Sequence, residues 1–184
     1  MTLAVAYPHD RGSLEPRPMR APQIWSIAEQ ARQQLAPRRP TPCLDLERLI
    51  RASASMMVNG MAIATQWDLD RNIQDGEGRA ALGVTEADPA LPGVVLISLN
   101  AEMIAERDYL KRSTLAHELG HALFDGPSML RQAGQPAFAM VTPDEGHLVT
   151  TVRGGGMDWR EFRANEFMGA LLAPRALLHR ELVR

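Results

Sequence analysis

The chain has 184 residues, of which 45% are hydrophobic and 23% charged, and its formal net charge is -2. This length and composition predict one ordinary globular domain with a sizeable core. The small negative charge provides no field for nucleic acid or an anionic membrane, so neither contact is predicted. The single cysteine, Cys43, excludes an internal disulfide and fits a reducing compartment. No apolar run reaches the ~20 residues that span a bilayer, and the start lacks signal-peptide features, so we expect a cytoplasmic protein.

The N-terminal part of the chain is predicted to begin irregularly. Residues 1–22 hold four prolines and three arginines, a proline density that breaks helices and strands. We therefore expect an extended or disordered lead-in, followed by a single domain over residues 23–184. Apolar residues at helical spacing predict a helix between Pro22 and Pro37, and residues 44–50 predict a second, short helix.

Short apolar segments then predict strands. Residues 56–65 are typical of a strand that is either bent at Asn59–Gly60 or turned there into a hairpin. Residues 68–79 are polar and contain glycines, which predicts a loop, and their acidic residues do not meet the EF-hand frame for calcium. Residues 80–84 and 94–99 predict two further strands. Together the elements predict an α+β fold, with helices packed around a small, mainly antiparallel sheet.

The C-terminal half is predicted to be mainly helical. Residues 101–124 show helical spacing, and Gly126–Pro127 is expected to end that helix. Residues 137–156 predict an inserted β-hairpin followed by three glycines. A final long helix is expected over residues 158–173, and residues 175–184 predict one or two more helical turns.

A metal-binding motif lies inside the helix predicted over residues 101–124. His117 and His121 are four residues apart, so both imidazoles share a helix face and can point at one ion. Two imidazoles suit zinc, and a zinc ion with one further protein ligand keeps a position for water, whose pKa it lowers to about 7. Glu118 can take a proton from that water and pass it to a leaving amine. A chance His pair is common, but one followed directly by Glu in a helix is much rarer.

The last long helix offers the third zinc ligand. Glu161 and Asn165 share a face, so Glu161 can bind the ion while Asn165 hydrogen-bonds a ligand histidine. Glu166 lies about 100° further round and is the second candidate. Asp125 follows His121 by four residues, but its place at the predicted end of the helix favours a loop residue. His147 or Tyr109 could polarise a scissile carbonyl, and the spacing does not choose between them.

Two stretches of the chain resemble the motifs of the ImmA/IrrE family of zinc metallopeptidases. Residues 111–121, Lys-Arg-Ser-Thr-Leu-Ala-His-Glu-Leu-Gly-His, resemble the zinc motif of that family. Residues 161–167, Glu-Phe-Arg-Ala-Asn-Glu-Phe, followed by Leu-Leu-Ala-Pro at 171–174, resemble its second motif. The resemblance covers about residues 22–178. It implies a zincin-like, specifically gluzincin-like, α+β fold with the His-Glu-x-x-His motif on a central helix.

The resemblance also implies an activity. By position, His117, His121 and Glu161 are the Zn²⁺ ligands and Glu118 is the general base of a metalloendopeptidase. The implied substrate is a protein partner, a transcriptional repressor or another DNA-binding regulator. Arg163 departs from the pattern, because the family often has Glu there. Many relatives carry a helix-turn-helix domain, and we expect none within these 184 residues, because the predicted elements leave no room for one.

Two other functions remain open from the sequence. One is a zinc-dependent sensor or binding module that holds a regulator without cutting it. The other is a degenerate relative that keeps the fold and lacks zinc. The sequence does not predict the oligomeric state.

Overall fold

Strands and helices follow one another along the chain as an α+β fold. The computed structural model describes residues 2–36, 43–74, 78–133 and 158–183. Within these ranges the strands are β1 (Leu3–Val5), β2 (Ser55–Val58), β3 (Met61–Arg71), β4 (Gly83–Ala87) and β5 (Val94–Asn100). The helices are α1 (Ala21–Leu35), α2 (Leu46–Ser53), α3 (Ala101–Ile104), α4 (Asp108–Phe124), α5 (Gly126–Ala133), α6 (Trp159–Leu172) and α7 (Arg175–Leu182).

The strands form one mixed sheet in the order β1-β2-β3-β5-β4. The β1–β2 and β3–β5 pairs are parallel, and the β2–β3 and β4–β5 pairs are antiparallel. The α+β prediction is confirmed, whereas the prediction of a mainly antiparallel sheet is wrong. The physical reason is that alternation of apolar residues marks a strand and its buried face but carries no information about the direction of its neighbour.

The N-terminal segment belongs to the folded core. β1 pairs with β2, and the side chains of Leu3, Val5 and Tyr7 are buried. The first proline of the segment is Pro8, which follows the strand and so does not interrupt its hydrogen bonds. Residues 1–22 are therefore not an independent lead-in before the domain, although the expectation of extended chain holds for β1.

The predicted hairpin alternative is confirmed at Asn59–Gly60. Both residues have positive φ, 52° and 83°, which is the backbone geometry of a type I′ turn between twisted antiparallel strands. β3 then continues to residue 71 and so occupies the start of the predicted loop at 68–79. The predicted strands at 80–84 and 94–99 correspond to β4, which lies three residues later, and to β5.

The helix predicted over 101–124 is divided in two. Glu106 has a positive φ of 58°, which a helix does not tolerate, so α3 ends before it and α4 begins after it. α5 starts at Gly126, where we expected a loop. The last long helix and the short helix after it are confirmed as α6 and α7. The predicted hairpin at 137–156 lies outside the described residues.

α4 and α6 cross closely at Gly120. A Cβ atom on Gly120 would lie 3.1 Å from the Cα of Ala164, which is tighter than ordinary van der Waals contact. One turn further, the rings of Phe124 and Phe167 meet edge to face with centroids 5.8 Å apart. The small residues thus set the spacing of the two helices, and the aromatic pair fills the core beside them. Among the described residues, no helix has the length and apolar character needed to cross a bilayer.

We expect Tyr7→Phe to lower the free energy of unfolding by about 1–3 kcal/mol, because the buried Tyr7 hydroxyl is a donor to the end of α4. It donates hydrogen bonds to the carbonyl oxygens of Leu123 at 2.7 Å and Phe124 at 3.2 Å. Urea unfolding monitored by circular dichroism measures the change. Tyr109→Phe is the matched control, because Tyr109 is 72% exposed. Equal stabilities of the two variants would contradict this role of Tyr7.

Candidate metal centre

Three side chains that can bind a metal ion converge where α4 and α6 cross. The Nε2 atoms of His117 and His121 are 3.1 Å apart. Oε2 of Glu161 lies 3.4 Å from Nε2 of His117, and Oε1 of Glu161 lies 3.3 Å from Nε2 of His121. A tetrahedral ion with ligands at about 2.0–2.1 Å holds them about 3.3 Å from one another. The three side chains can therefore hold a metal ion in the spacing of a tetrahedral site.

His121 and Glu161 each stabilise the charged form of the other. Burial opposes charge on the His121 imidazole, but its hydrogen bonds with Asp125 and Glu161 outweigh burial and raise its pKa to about 10. The hydrogen bonds with His117 and His121 hold the pKa of the Glu161 carboxyl well below its usual range. Glu161 therefore stays ionised at neutral pH, which is the state that a metal ligand requires.

A buried ion pair orients the second histidine. Nδ1 of His121 donates to Oδ2 of Asp125 at 2.9 Å, which leaves Nε2 for an ion. Arg163 donates to the other carboxylate oxygen of Asp125 at 2.7 Å. Burial raises the pKa of Asp125, but His121 and Arg163 outweigh it and lower that pKa. Asp125 lies in the turn between α4 and α5, as expected of a residue past the end of the helix. The sequence did not predict that its side chain is 2% exposed and is the hydrogen-bond partner of a candidate ligand.

Glu118 is held by the edge strand β4. It is 5% exposed, and the hydroxyl of Thr85 donates to its Oε2 at 2.8 Å. Gly83 packs on the same carboxylate so closely that a Cβ there would lie 2.6 Å from Oε1. Burial raises the pKa of Glu118 above its ordinary value. The side chain is thus fixed beside the candidate ligands without being one of them.

These groups open onto a cleft of about 500 Å³. Its floor is formed by His117, His121, Glu118 and Glu161. The walls come from β4 and the chain before it, from the middle of α4, from α5 and from the exposed face of α6. The described residues that line the walls are Ile73, Gln74, Ala81, Leu82, Gly83, Val84, Thr85, Leu110, Ser113, Thr114, Met129, Arg160, Asn165 and Met168.

The other predicted site residues have different places. Glu166, the second candidate ligand, accepts a hydrogen bond from the Trp25 indole at 2.6 Å and fastens α6 to α1. Tyr109 is exposed and is not among the residues that line the cleft, and His147 lies outside the described residues. Asn165 does line the cleft, but the outer partner shown for His121 is Asp125.

Sequence reasoning missed the roles of Thr85, Gly83 and Arg163. Gly83 and Thr85 lie on β4, which is more than 30 residues from Glu118 in the sequence. Their spacing does not predict a contact with α4. Asp125 did carry a signal, because four residues from His121 is one helical turn. Arg163 stood out only as a departure from the second motif of the resembled family.

Comparison with known proteins returns no match: no protein-family model, no curated protein and no solved structure matches the chain.

We expect Asp125→Asn to weaken zinc binding about 10- to 100-fold, the usual effect of losing the partner that orients a ligand histidine. The same change leaves the buried Arg163 guanidinium without its carboxylate, which destabilises the fold by about 3–5 kcal/mol. The double variant Asp125→Asn/Arg163→Gln removes both charges, so stability should recover while zinc binding stays weak. Competition with a chromophoric chelator measures zinc affinity, and urea unfolding measures stability. Wild-type affinity in the double variant would contradict the orienting role.

We expect zinc binding at pH 8 to release about two protons. One comes from His121, because a ligand imidazole must be neutral and the pKa of His121 is about 10 in the metal-free protein. The other would come from water on the zinc ion, whose pKa falls to about 7. In the metal-free protein, the stability contributed by this raised pKa is present below pH ~6.5 and is lost as the pH rises through about 10. Calorimetric titrations in buffers of different ionisation enthalpy count the released protons. A count near one at pH 8 would show that His121 is already neutral there, because zinc-bound water would account for that proton.

Proposed function

We propose that this protein is a zinc metalloendopeptidase. The observation that carries the proposal is the triangle of two imidazoles and one carboxylate at tetrahedral spacing, with a separate buried carboxylate beside it. Three protein ligands leave a fourth position of a tetrahedral ion for water or substrate, which is the pattern of catalytic rather than structural zinc sites. The resemblance of residues 111–121 and 161–174 to the ImmA/IrrE motifs points to the same activity.

The donor set fits zinc. Two neutral imidazoles with one carboxylate make a borderline site that suits zinc better than the oxygen-preferring Mg²⁺ or Ca²⁺. When bound, a zinc ion would supply Lewis acidity to polarise a carbonyl and acidify water. His117, His121 and Glu161 are the residues that would hold it.

Glu118 is the proposed general base and acid. Burial raises the pKa of its carboxyl, which brings that pKa closer to neutral pH, where a general base works best. The Thr85 hydroxyl holds one carboxylate oxygen, so the group is fixed before any substrate arrives. We assign it two tasks, to accept a proton from water and to deliver a proton to the leaving amine.

An extended peptide is the substrate form that suits the cleft. β4 is the last strand of the sheet and lines the cleft through Gly83, Val84 and Thr85. A peptide that added to its outer edge would run past the candidate metal ligands. At the opposite edge, the Gln34 amide bonds both the N–H and the C=O of Ala4, at 2.8 and 2.7 Å, and so covers β1. Among the described residues, no strand pairs with the edge of β4 beside the cleft, which suits the proposed peptide partner.

We infer from the resemblance that the substrate is a DNA-binding regulator, a transcriptional repressor in the implied case, and that cleavage occurs in the cytoplasm. The protein itself carries no net positive charge that would attract nucleic acid, so recognition would be of the regulator and not of its DNA.

We expect the zinc-loaded protein to cleave casein or a regulator encoded beside its gene, and Glu118→Gln to lower the rate at least about 100-fold, because the amide cannot carry the proton. Electrophoresis and mass spectrometry follow the fragments, with a chelator-treated sample in parallel. Glu118→Gln should still bind zinc, since Glu118 is not a ligand.

Glu166→Gln is the matched control for this test, because Glu166 lies on α6 and contacts Trp25 instead of the ligands. It should retain the wild-type rate. Undiminished cleavage by Glu118→Gln would refute the role of the base. Stoichiometric zinc without cleavage of any regulator would support the binding module, and a protein that takes up no zinc would be the degenerate relative.

A further inference from the structure

One cationic residue lines the cleft and is neither a candidate metal ligand nor the proposed base. Arg160 is the single arginine or lysine among the described residues that line the cleft. It directly precedes the candidate ligand Glu161 in α6. Apolar side chains of Leu110, Met129 and Met168 form part of the same walls. An apolar wall lowers the local dielectric constant, so a charge beside it interacts more strongly than it would in open water.

The charge of Arg160 is not balanced inside the cleft. The carboxylates of Glu161 and Glu118 are engaged with the histidines and with Thr85. A divalent ion would itself be balanced by these two carboxylates, which leaves the guanidinium as the excess charge. Its partner is Glu15, whose Oε1 lies 3.7 Å from a guanidinium nitrogen, and the Glu15 side chain is 51% exposed. A single, long and exposed contact of this kind is worth at most about 1 kcal/mol.

A substrate carboxylate can therefore replace Glu15. Guanidinium groups bind carboxylates best through two parallel hydrogen bonds, a geometry that the contact with Glu15 does not use. The side chain of Arg160 is itself 27% exposed, and the residue lines the cleft. Replacing a loose, solvated pair by a bidentate one beside apolar walls is favourable.

The backbone of Arg160 is held in place relative to the candidate metal ligands. The Asp158 side chain caps α6 and accepts hydrogen bonds from the N–H groups of Arg160, at 2.9 Å, and Glu161, at 3.3 Å. Neighbouring Cα atoms are about 3.8 Å apart, and an extended peptide advances about 3.3–3.6 Å per residue. Because Arg160 and Glu161 are neighbours and both line the cleft, we place the guanidinium opposite peptide side chains within about three residues of the bond at the candidate metal site.

We propose that Arg160 is a specificity-determining residue, and that the cleft selects peptides with an acidic side chain within about three residues of the scissile bond. The position of that bond rests on the proposed function, but the preference for an acidic peptide does not require cleavage. Binding to a catalytically silent variant therefore tests the inference separately from hydrolysis.

The probes are three fluorescein-labelled decapeptide pools, randomised over Ala, Leu, Met, Phe and Ser. The pools differ only in whether one central position is Glu, Gln or Lys. Fluorescence anisotropy measures their binding to zinc-loaded Glu118→Gln protein. We expect the Glu pool to bind about tenfold more tightly than the Gln pool, the effect of one charge-assisted contact, and the Lys pool to bind most weakly.

Variants of Arg160 in the same background identify the residue responsible. Arg160→Gln should abolish the difference between the Glu and Gln pools, and Arg160→Glu should make the Lys pool the tightest. Glu15→Gln should strengthen binding of the Glu pool about two- to fivefold, because the competing carboxylate is gone. Arg107→Gln is the matched control, because it removes the same charge from an exposed arginine outside the cleft lining and should keep the wild-type order of pools.

Equal binding of the three pools, or no measurable binding of any pool, overturns the inference. Sequencing of cleaved peptides then separates it from the proposed function. Cleavage without an acidic preference and with equal binding leaves the peptidase standing and removes the specificity of Arg160. Preferential binding of the Glu pool by a wild-type protein that cleaves nothing retains the specificity and removes the peptidase.

Discussion

The close crossing of α4 and α6 is the constraint on which the candidate site depends. The histidines and Glu161 lie on different helices, so their ligand atoms meet only if the two backbones approach closely. Gly120 sits between the histidines of the motif and faces Ala164, where a further Cβ would have only 3.1 Å. The glycine costs about 1 kcal/mol of helix propensity against alanine. In return, the absence of a side chain at Gly120 lets the two helices approach until the Glu161 carboxylate lies within 3.4 Å of both imidazoles.

The second requirement is that the histidines keep their orientation under burial. An imidazole near a buried carboxylate network would turn or change protonation if its outer nitrogen had no partner. Asp125 supplies that partner for His121, and Arg163 keeps Asp125 ionised although it is 2% exposed. The arginine that departs from the motif of the resembled family thus has a structural reason in this chain. The hydroxyl of Tyr7 closes the end of α4 next to this network, so the N-terminal segment also supports it.

Local periodicity made much of this architecture predictable, because helices and buried strands repeat their apolar residues at fixed intervals. The helices over residues 24–35 and 158–173 follow from that information, and so does the shared helix face of His117 and His121. The helix predicted over 101–124 follows apart from its break at Glu106. Glu161 was predicted because a zinc ion held by two histidines needs a further donor. Local periodicity does not predict the directions of the strands, the pairing of β1 with the sheet or the contact of Thr85 with Glu118. They depend on neighbours distant in sequence. The contact of Asp125 with His121 was not predicted, because spacing shows that the carboxylate can reach the imidazole but not whether the carboxylate is buried.

Among the described residues, the two edges of the sheet differ in a way that suits the proposed peptide substrate. An unpaired edge invites aggregation, and the side-chain amide of Gln34 satisfies both groups of Ala4 at the β1 edge. At the β4 edge the strand also holds the proposed base, since Thr85 donates to Glu118 and Gly83 packs on its carboxylate. A peptide paired with β4 would be placed in register with Glu118, the proposed base. Strand pairing would then supply alignment as well as affinity, so that a substrate seated in the wrong register would bind without reacting.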